Sequence, residues 1–194
     1  MKHPIKYSQL IERTLAGSVE AFGELYEVTV QDVYRTVRFL VSEPSNAEDI
    51  VQDIYVELHR SLHRYDHSRE FRPWLTGLVM RQIHAYRRKG WGHFRLVKRA
   101  EQVTERMEHD FAGDAVERLS NRVLLEAVNR LPYKLQQVII LHYLQEYSQE
   151  EIAAILEIPL GTVKSRIHAA LQKLRRKHQA DIIQIRRVED VYES

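Results

Sequence analysis

The chain has 194 residues, 44% of them hydrophobic and 29% charged, with a formal charge of +2 and no cysteine. Such a length holds one large domain or two small ones, and the missing cysteine excludes disulfides, thiolate metal sites and cysteine nucleophiles. No run approaches the roughly 20 apolar residues of a membrane span, and Met1 to Leu10, with Lys2, His3, Lys6 and Gln9, lacks the apolar core of a leader peptide, so a cytoplasmic protein without membrane insertion is expected.

Only 7 glycines and 5 prolines are present, and apolar residues recur at three- and four-residue steps, which predicts an all-α protein. Tyr7 to Ala16 reads as a first helix, ended near Gly17. Ser18 can cap a second, with Phe22, Leu25, Tyr26, Val30, Val33, Val37, Leu40 and Val41 as its apolar stripe and Pro44 closing it. Ser45 and Glu48 have the spacing of a capping box, opening a helix that buries Ala47, Ile50, Val51, Ile54, Leu58 and Leu62. A polar loop, Asp66 to Glu70, follows. Pro73 suits a first helical position, and Trp74, Leu75, Leu78, Val79, Ile83 and Tyr86 form the stripe of a fourth helix. Residues 1–90 are thus expected to make one small helical domain.

From residue 91 to 118 the periodicity weakens, glycines intervene and charge dominates, the composition of a flexible linker. Residues 119–178 read as a second helical domain: Arg122 to Arg130, then Pro132 to Leu144, then a helix to Leu156 opened by the capping pair Ser148 and Glu151. Glu157-Ile158-Pro159 makes a tight turn, and Gly161 to about Lys177 completes the set. The tail, 179–194, carries Ile182, Ile183, Ile185 and Val188; extension of the last helix and contact with a partner both stay open.

The charge is segregated along the chain. Phe39 to His59 holds five acids and no Lys or Arg, Phe71 to Ala100 eight bases and no acid, Glu101 to Glu117 six acids against Arg106, and Ile158 to Ala180 six bases and no acid. Any one block is explained by a solvated helix face. Four in alternation suggest separate surfaces for separate partners, two of them polyanionic.

The strongest motif is Ser148 to Leu156, a turn, then Leu160 to His168, two short helices in the helix-turn-helix pattern. Val163, Ile167, Leu171 and Leu174 share one face of the second helix and should pack inward. Thr162, Lys164, Ser165, Arg166, His168 and Lys173 are left to meet DNA. Lys and Arg can pair with guanine edges in the major groove, and Thr162 near the helix start suits a phosphate. Arg175, Arg176 and Lys177 would give affinity without sequence information.

Leu131-Pro132 through Leu174-Arg175, with Ser-Gln-Glu-Glu-Ile-Ala and Gly-Thr-Val-Lys-Ser-Arg inside it, resembles region four of the extracytoplasmic-function sigma factors of the sigma-70 superfamily. Ala21-Phe22, Leu25-Tyr26, Ala47 to Asp53 and Trp74-Leu75 resemble region two of the same family, in the right order and at the right separation. The resemblance implies two helical domains joined by a linker, and a subunit that binds core RNA polymerase and promoter DNA. It implies that Asp49, Gln52, Asp53 and Glu57 dock on the polymerase clamp helices, where carboxylates can make charge-assisted hydrogen bonds. It implies that the loop Asp66, His67, Ser68 and Arg69, flanked by Tyr65 and Phe71, captures an unpaired base of the −10 element. Arg81, His84, Arg87 and Arg88 on the next helix would track one strand, and the helix-turn-helix would read the −35 element. A membrane-anchored anti-sigma factor is implied as a further partner.

His59, His63 and His67 recur every four residues, but His67 falls in the expected loop and no acid or cysteine completes a ligand set, so no metal is expected. No phosphate-binding glycine loop or nucleophile elbow is present, so neither cofactor nor enzymatic activity is expected. The rival readings are a stand-alone helix-turn-helix regulator that binds its operator as a dimer, and an adaptor that binds polymerase without reading DNA.

Overall fold

In a computed structural model, residues 7–41, 46–97 and 125–192 are described, with side chains for 7–41, 46–88 and 125–176. Every regular element among them is helical, and none of these helices is long and apolar enough to cross a membrane. The chain divides into two compact units, residues 1–98 with 153–157 and residues 99–152 with 158–194. Each is taken by itself below.

The first unit begins with α1 (Tyr7–Leu15), which buries Ile11. Gly17, at φ +96°, makes the reversal into α2 (Val19–Leu40). Only glycine adopts that conformation without a Cβ penalty. Ser18 caps α2, its hydroxyl accepting the Ala21 N–H at 3.2 Å. The buried face of α2 is Ala21, Leu25, Thr29, Val33, Thr36, Val37 and Leu40. Tyr26, expected on that stripe, is 41% exposed and lies edge-on to Tyr55 with ring centroids 4.6 Å apart. Two threonines take buried positions because each hydroxyl donates back into its own helix, Thr29 to the Leu25 carbonyl and Thr36 to that of Asp32.

Helix α3 (Ala47–Ser61) buries Ala47, Ile50, Val51, Ile54, Tyr55 and Leu58, and a 3-10 turn, Leu62–Arg64, continues it. Ser45 lies outside the described residues. Asn46 stands at the cap without a side-chain bond to the helix, and its Nδ2 donates instead to the Tyr86 hydroxyl at 2.6 Å. Buried between α2 and α3, the Tyr55 and Thr29 hydroxyls are 2.8 Å apart. Burial pushes the Tyr55 phenol well up, so it stays protonated.

Helix α4 (Phe71–Val97) starts before Pro73, which therefore sits in the first turn rather than at the first position, where its missing N–H is still harmless. Phe71, Leu75, Leu78, Val79, Met80 and Ile83 are buried along it, and Trp74 is half-buried. The helix also runs beyond residue 90, into the stretch 91–118 expected as linker; residues 98–124, which take in the rest of that stretch and the start of the expected second domain, lie outside the described residues. Arg87 joins α4 to α2, its Nη1 donating to the Leu40 carbonyl at 3.0 Å, one of the acceptors that a helix C-terminus leaves without an intrahelical partner.

In the second unit residues 125–129 form α5. Helix α6 (Tyr133–Ile139) follows Pro132 and passes into a π-helical turn, Ile140–Leu144. Val138, Ile139, Ile140 and Leu141 are buried. The wide turn ends at Glu146, φ +60°, after which Tyr147 N–H donates to the Leu141 carbonyl at 3.0 Å. His142 Nδ1 lies 2.8 Å from the Tyr147 carbonyl. A carbonyl only accepts, so that nitrogen carries the proton.

Helix α7 (Gln149–Leu156) opens on the expected capping box: Ser148 N–H donates to Glu151 Oε2 at 2.7 Å and Glu151 N–H to Ser148 Oγ at 3.1 Å. The turn passes through Glu157, φ +54°, and α8 begins at Leu160, one residue earlier than expected. It runs to Tyr192, so the expected tail from 179 continues this helix. Val163, Ile167 and Ala170 are buried, whereas Leu171 and Leu174, expected inward, are half-buried.

Candidate nucleic-acid interface

Three groups of polar side chains stand out: one on α8, one on the loop before α4 and on α4 itself, and one on α3. On α8 the buried Val163, Ile167 and Ala170 fix the orientation of the helix start. At 100° per residue, Ser165 and His168 then point away from the core, with Lys164 and Lys173 on the flanks. All four are exposed, and Thr162 and Arg166 are half-buried. The Ser165 hydroxyl donates to the Thr162 carbonyl at 3.0 Å, leaving its oxygen lone pairs outward as acceptors. Thr162 and Val163 N–H both donate to the Pro159 carbonyl, at 2.8 and 3.2 Å, which closes the first turn of the helix that would enter a groove.

The second group lies between α3 and α4. Asp66, His67, Ser68 and Arg69 are all exposed. Asp66 Oδ1 accepts the Ser68 N–H at 2.9 Å. The Ser68 hydroxyl and N–H hold the Asp66 carboxyl below its ordinary range, with Arg69 and His67 adding to the effect. Arg69 Nε lies 3.6 Å from Asp66 Oδ2, a wet pair worth little by itself. On α4, Arg81, His84 and Arg88 are exposed and share one face by helical spacing. Burial, then Arg87 and Arg88, lowers the His84 imidazole. Arg87 departs from this set: it is half-buried and bonded to the Leu40 carbonyl.

The third group is on α3. Asp49, Gln52 and Asp53 are exposed on one face and Glu57 is half-buried at its edge. In the middle of that face sits Val56, 44% exposed. Sequence reading missed it, although the signal was available: Val56 is the apolar residue of α3 that falls off the buried stripe. An apolar centre with a carboxylate rim suits a basic protein partner better than it suits solvent. Tyr143, at 57% exposure on the π-helical turn, was likewise missed.

The His59, His63 and His67 series stays dispersed. His59 packs edge-on to Phe22, with centroids 5.2 Å apart, while the His67 ring lies 5.1 Å from that of Tyr65. No group of three metal-ligating side chains gathers among the described residues.

Comparison with known proteins places both halves. Residues 25–92 match the model of sigma-70 region 2, and residues 121–174 match that of sigma-70 region 4. The RNA polymerase sigma-E factor of Streptomyces coelicolor is 31% identical over 174 residues, covering 89% of this chain and 94% of that protein. The extracytoplasmic-function sigma factor SigW of Bacillus subtilis is 29% identical over 178 residues, covering 86% and 94% respectively. In fold the chain resembles the sigma factor RpoE of Bartonella quintana, solved with the anti-sigma factor NepR. The TM-score is 0.72 at 21% identity, over 84% of this chain and 99% of that one. With a region-two fold in its first half, a region-four helix-turn-helix in its second, and relatives matched over nearly their whole length, the chain belongs to the extracytoplasmic-function RNA polymerase sigma factors, DNA-binding transcription initiation factors of the sigma-70 family.

Proposed function

We propose that the chain binds core RNA polymerase through the acidic face of α3 and directs initiation at promoters read at two places. The loop 66–69 with Arg81, His84 and Arg88 takes the −10 element; Thr162, Lys164, Ser165, Arg166, His168 and Lys173 take the −35 element. The observation that carries this reading is the pairing of two family matches, residues 25–92 and 121–174, with three exposed faces of opposite charge on those same segments. The acidic face cannot favour a polyanion, and the two basic faces can. Division of labour follows from that sign: α3 meets protein, while α4 and α8 meet DNA. Arg87 is assigned to the fold, through Leu40, as much as to DNA.

An anti-sigma factor is the expected regulator, since the sigma factor RpoE of Bartonella quintana, which this chain resembles in fold, was solved in complex with one. It would act by covering these faces, and a cytoplasmic site of action follows from a partner that is the polymerase. A stand-alone regulator would have no use for a region-two half, so the matched residues 25–92 weigh against that rival.

The test is transcription from a genomic fragment library by purified core enzyme, with and without the chain. Specific new start sites that share spaced −35 and −10 sequences are expected. If no start site depends on the chain, the reading fails.

A further inference from the structure

Tyr65 closes the 3-10 turn after α3 and begins the loop that leads to α4. It is 9% exposed and sits at the centre of an aromatic cluster. Its ring centroid is 5.1 Å from those of His67 and Trp74 and 5.5 Å from that of Phe71, which in turn lies 5.2 Å from Tyr7. A phenylalanine would satisfy all of that packing. The hydroxyl does something further: it donates to the Arg69 carbonyl, so one side chain ties the two ends of the loop together.

Inside that closure the backbone is held twice more. Arg69 N–H donates to the Asp66 carbonyl at 3.0 Å, and Ser68 N–H donates to Asp66 Oδ1 at 2.9 Å. Burial raises the Tyr65 phenol, with Asp66 and Glu70 adding to it, so the group remains a hydrogen-bond donor at any physiological pH. Residues 66–70 are nevertheless exposed. A loop with a fixed backbone and outward side chains has its ordering entropy removed before any ligand arrives, which is what selective capture of one unstacked base requires.

We propose that the Tyr65 hydroxyl is a latch that sets the shape of residues 66–69, making Tyr65 a positioning residue for base capture, with Asp66 and Ser68 bracing the loop and His67 and Arg69 presented to the base. This rests on the reading of that loop as the −10 reader. The latch acts on discrimination rather than on affinity for polymerase, because the bond it makes lies wholly within the loop.

The test uses full-length Tyr65→Phe in holoenzyme, with single-stranded −10 oligonucleotides carrying each of the four bases at the captured position. Core affinity should match wild type, and preference for the best base should fall roughly fivefold, the worth of one net hydrogen bond. Unchanged preference overturns the latch, and so does uniform weakening toward all four bases. Asp66→Asn, which keeps the shape of the brace but strips its charge, should shift preference in the same direction. His67→Ala and Arg69→Ala separate the two levels: if neither changes base preference, the loop is not the reader and the parent reading fails. If they do and Tyr65→Phe does not, only the latch fails.

Discussion

Glu146 and Glu157 occupy left-handed backbone, φ +60° and +54°, where a Cβ crowds the following carbonyl. Both end a helix, and both are positions that glycine fills without that penalty. Glu146→Gly and Glu157→Gly are each expected to raise stability by about 0.5–1 kcal/mol, net of glycine's greater freedom in the unfolded chain. Chemical unfolding midpoints that stay put or fall would show that something else holds these turns. Arg87→Ala should do the opposite, costing about 1–2 kcal/mol by leaving the Leu40 carbonyl without its donor. Its effect on stability separates it from Arg81 and Arg88, whose replacement should leave the unfolding midpoint alone. For His84 the sign of the pH dependence is fixed by its lowered value. The folded state prefers the neutral ring, so its contribution to stability is present above the ordinary histidine range and lost as pH falls through it. A phosphate brought near reverses that preference. Affinity for a −10 strand should therefore climb more steeply in wild type than in His84→Gln between about pH 7.5 and 6; parallel titration curves would remove His84 from the strand contact.

At the level of elements, the helix-turn-helix depends on where α7 starts. Two reciprocal bonds between Ser148 and Glu151 set that point, satisfying donors that the helix cannot satisfy itself. Ser148→Ala should cost about 1 kcal/mol and weaken −35 binding only through the fraction unfolded; at saturating stability, in osmolyte for instance, the loss of binding should vanish. Arg166→Ala instead should reduce −35 recognition without touching the unfolding midpoint. On α3, Glu48 and Asp49 occupy the first turn, where carboxylates also complement the helix dipole, while Asp53 lies beyond it and is available to a partner. Asp53→Arg is accordingly expected to lower affinity for core enzyme by tenfold or more, about 1.4 kcal/mol, with the circular dichroism unchanged. Wild-type affinity would move the docking surface off this helix.

For the whole molecule a formal charge of +2 hides its organisation, since acidic and basic segments cancel in the sum. Two basic faces and one acidic face predict that ionic strength acts with different slopes on the two kinds of binding. Binding to duplex −35 DNA should weaken linearly with the logarithm of salt concentration, because each phosphate contact releases counterions. Binding to core should fall less steeply, with Val56 contributing apolar area that salt does not screen. Equal slopes for the two would argue that α3 does not carry the core contact.

Much of this was open to the sequence alone. The all-helical class, the Ser18 cap, the Ser148–Glu151 box and the loop from Asp66 to Glu70 follow from residue types at fixed spacings, which act over one or two turns of chain. The sigma-factor family was legible for the same reason, as motifs are local strings. What the sequence did not decide were matters of which neighbour wins. Tyr26 reads as core by periodicity, yet it lies beside Tyr55 with much of its surface open, because burial depends on what α3 covers and not on the period of α2. Arg87 reads as one more cation in a basic row, and only the approach of α2 turns it into a partner for Leu40. Tyr65 reads as an aromatic flanking a polar loop; the fold alone brings its hydroxyl to the Arg69 carbonyl. Local chemistry writes the helices and their ends, whereas side chains with two possible roles are assigned by the packing that surrounds them.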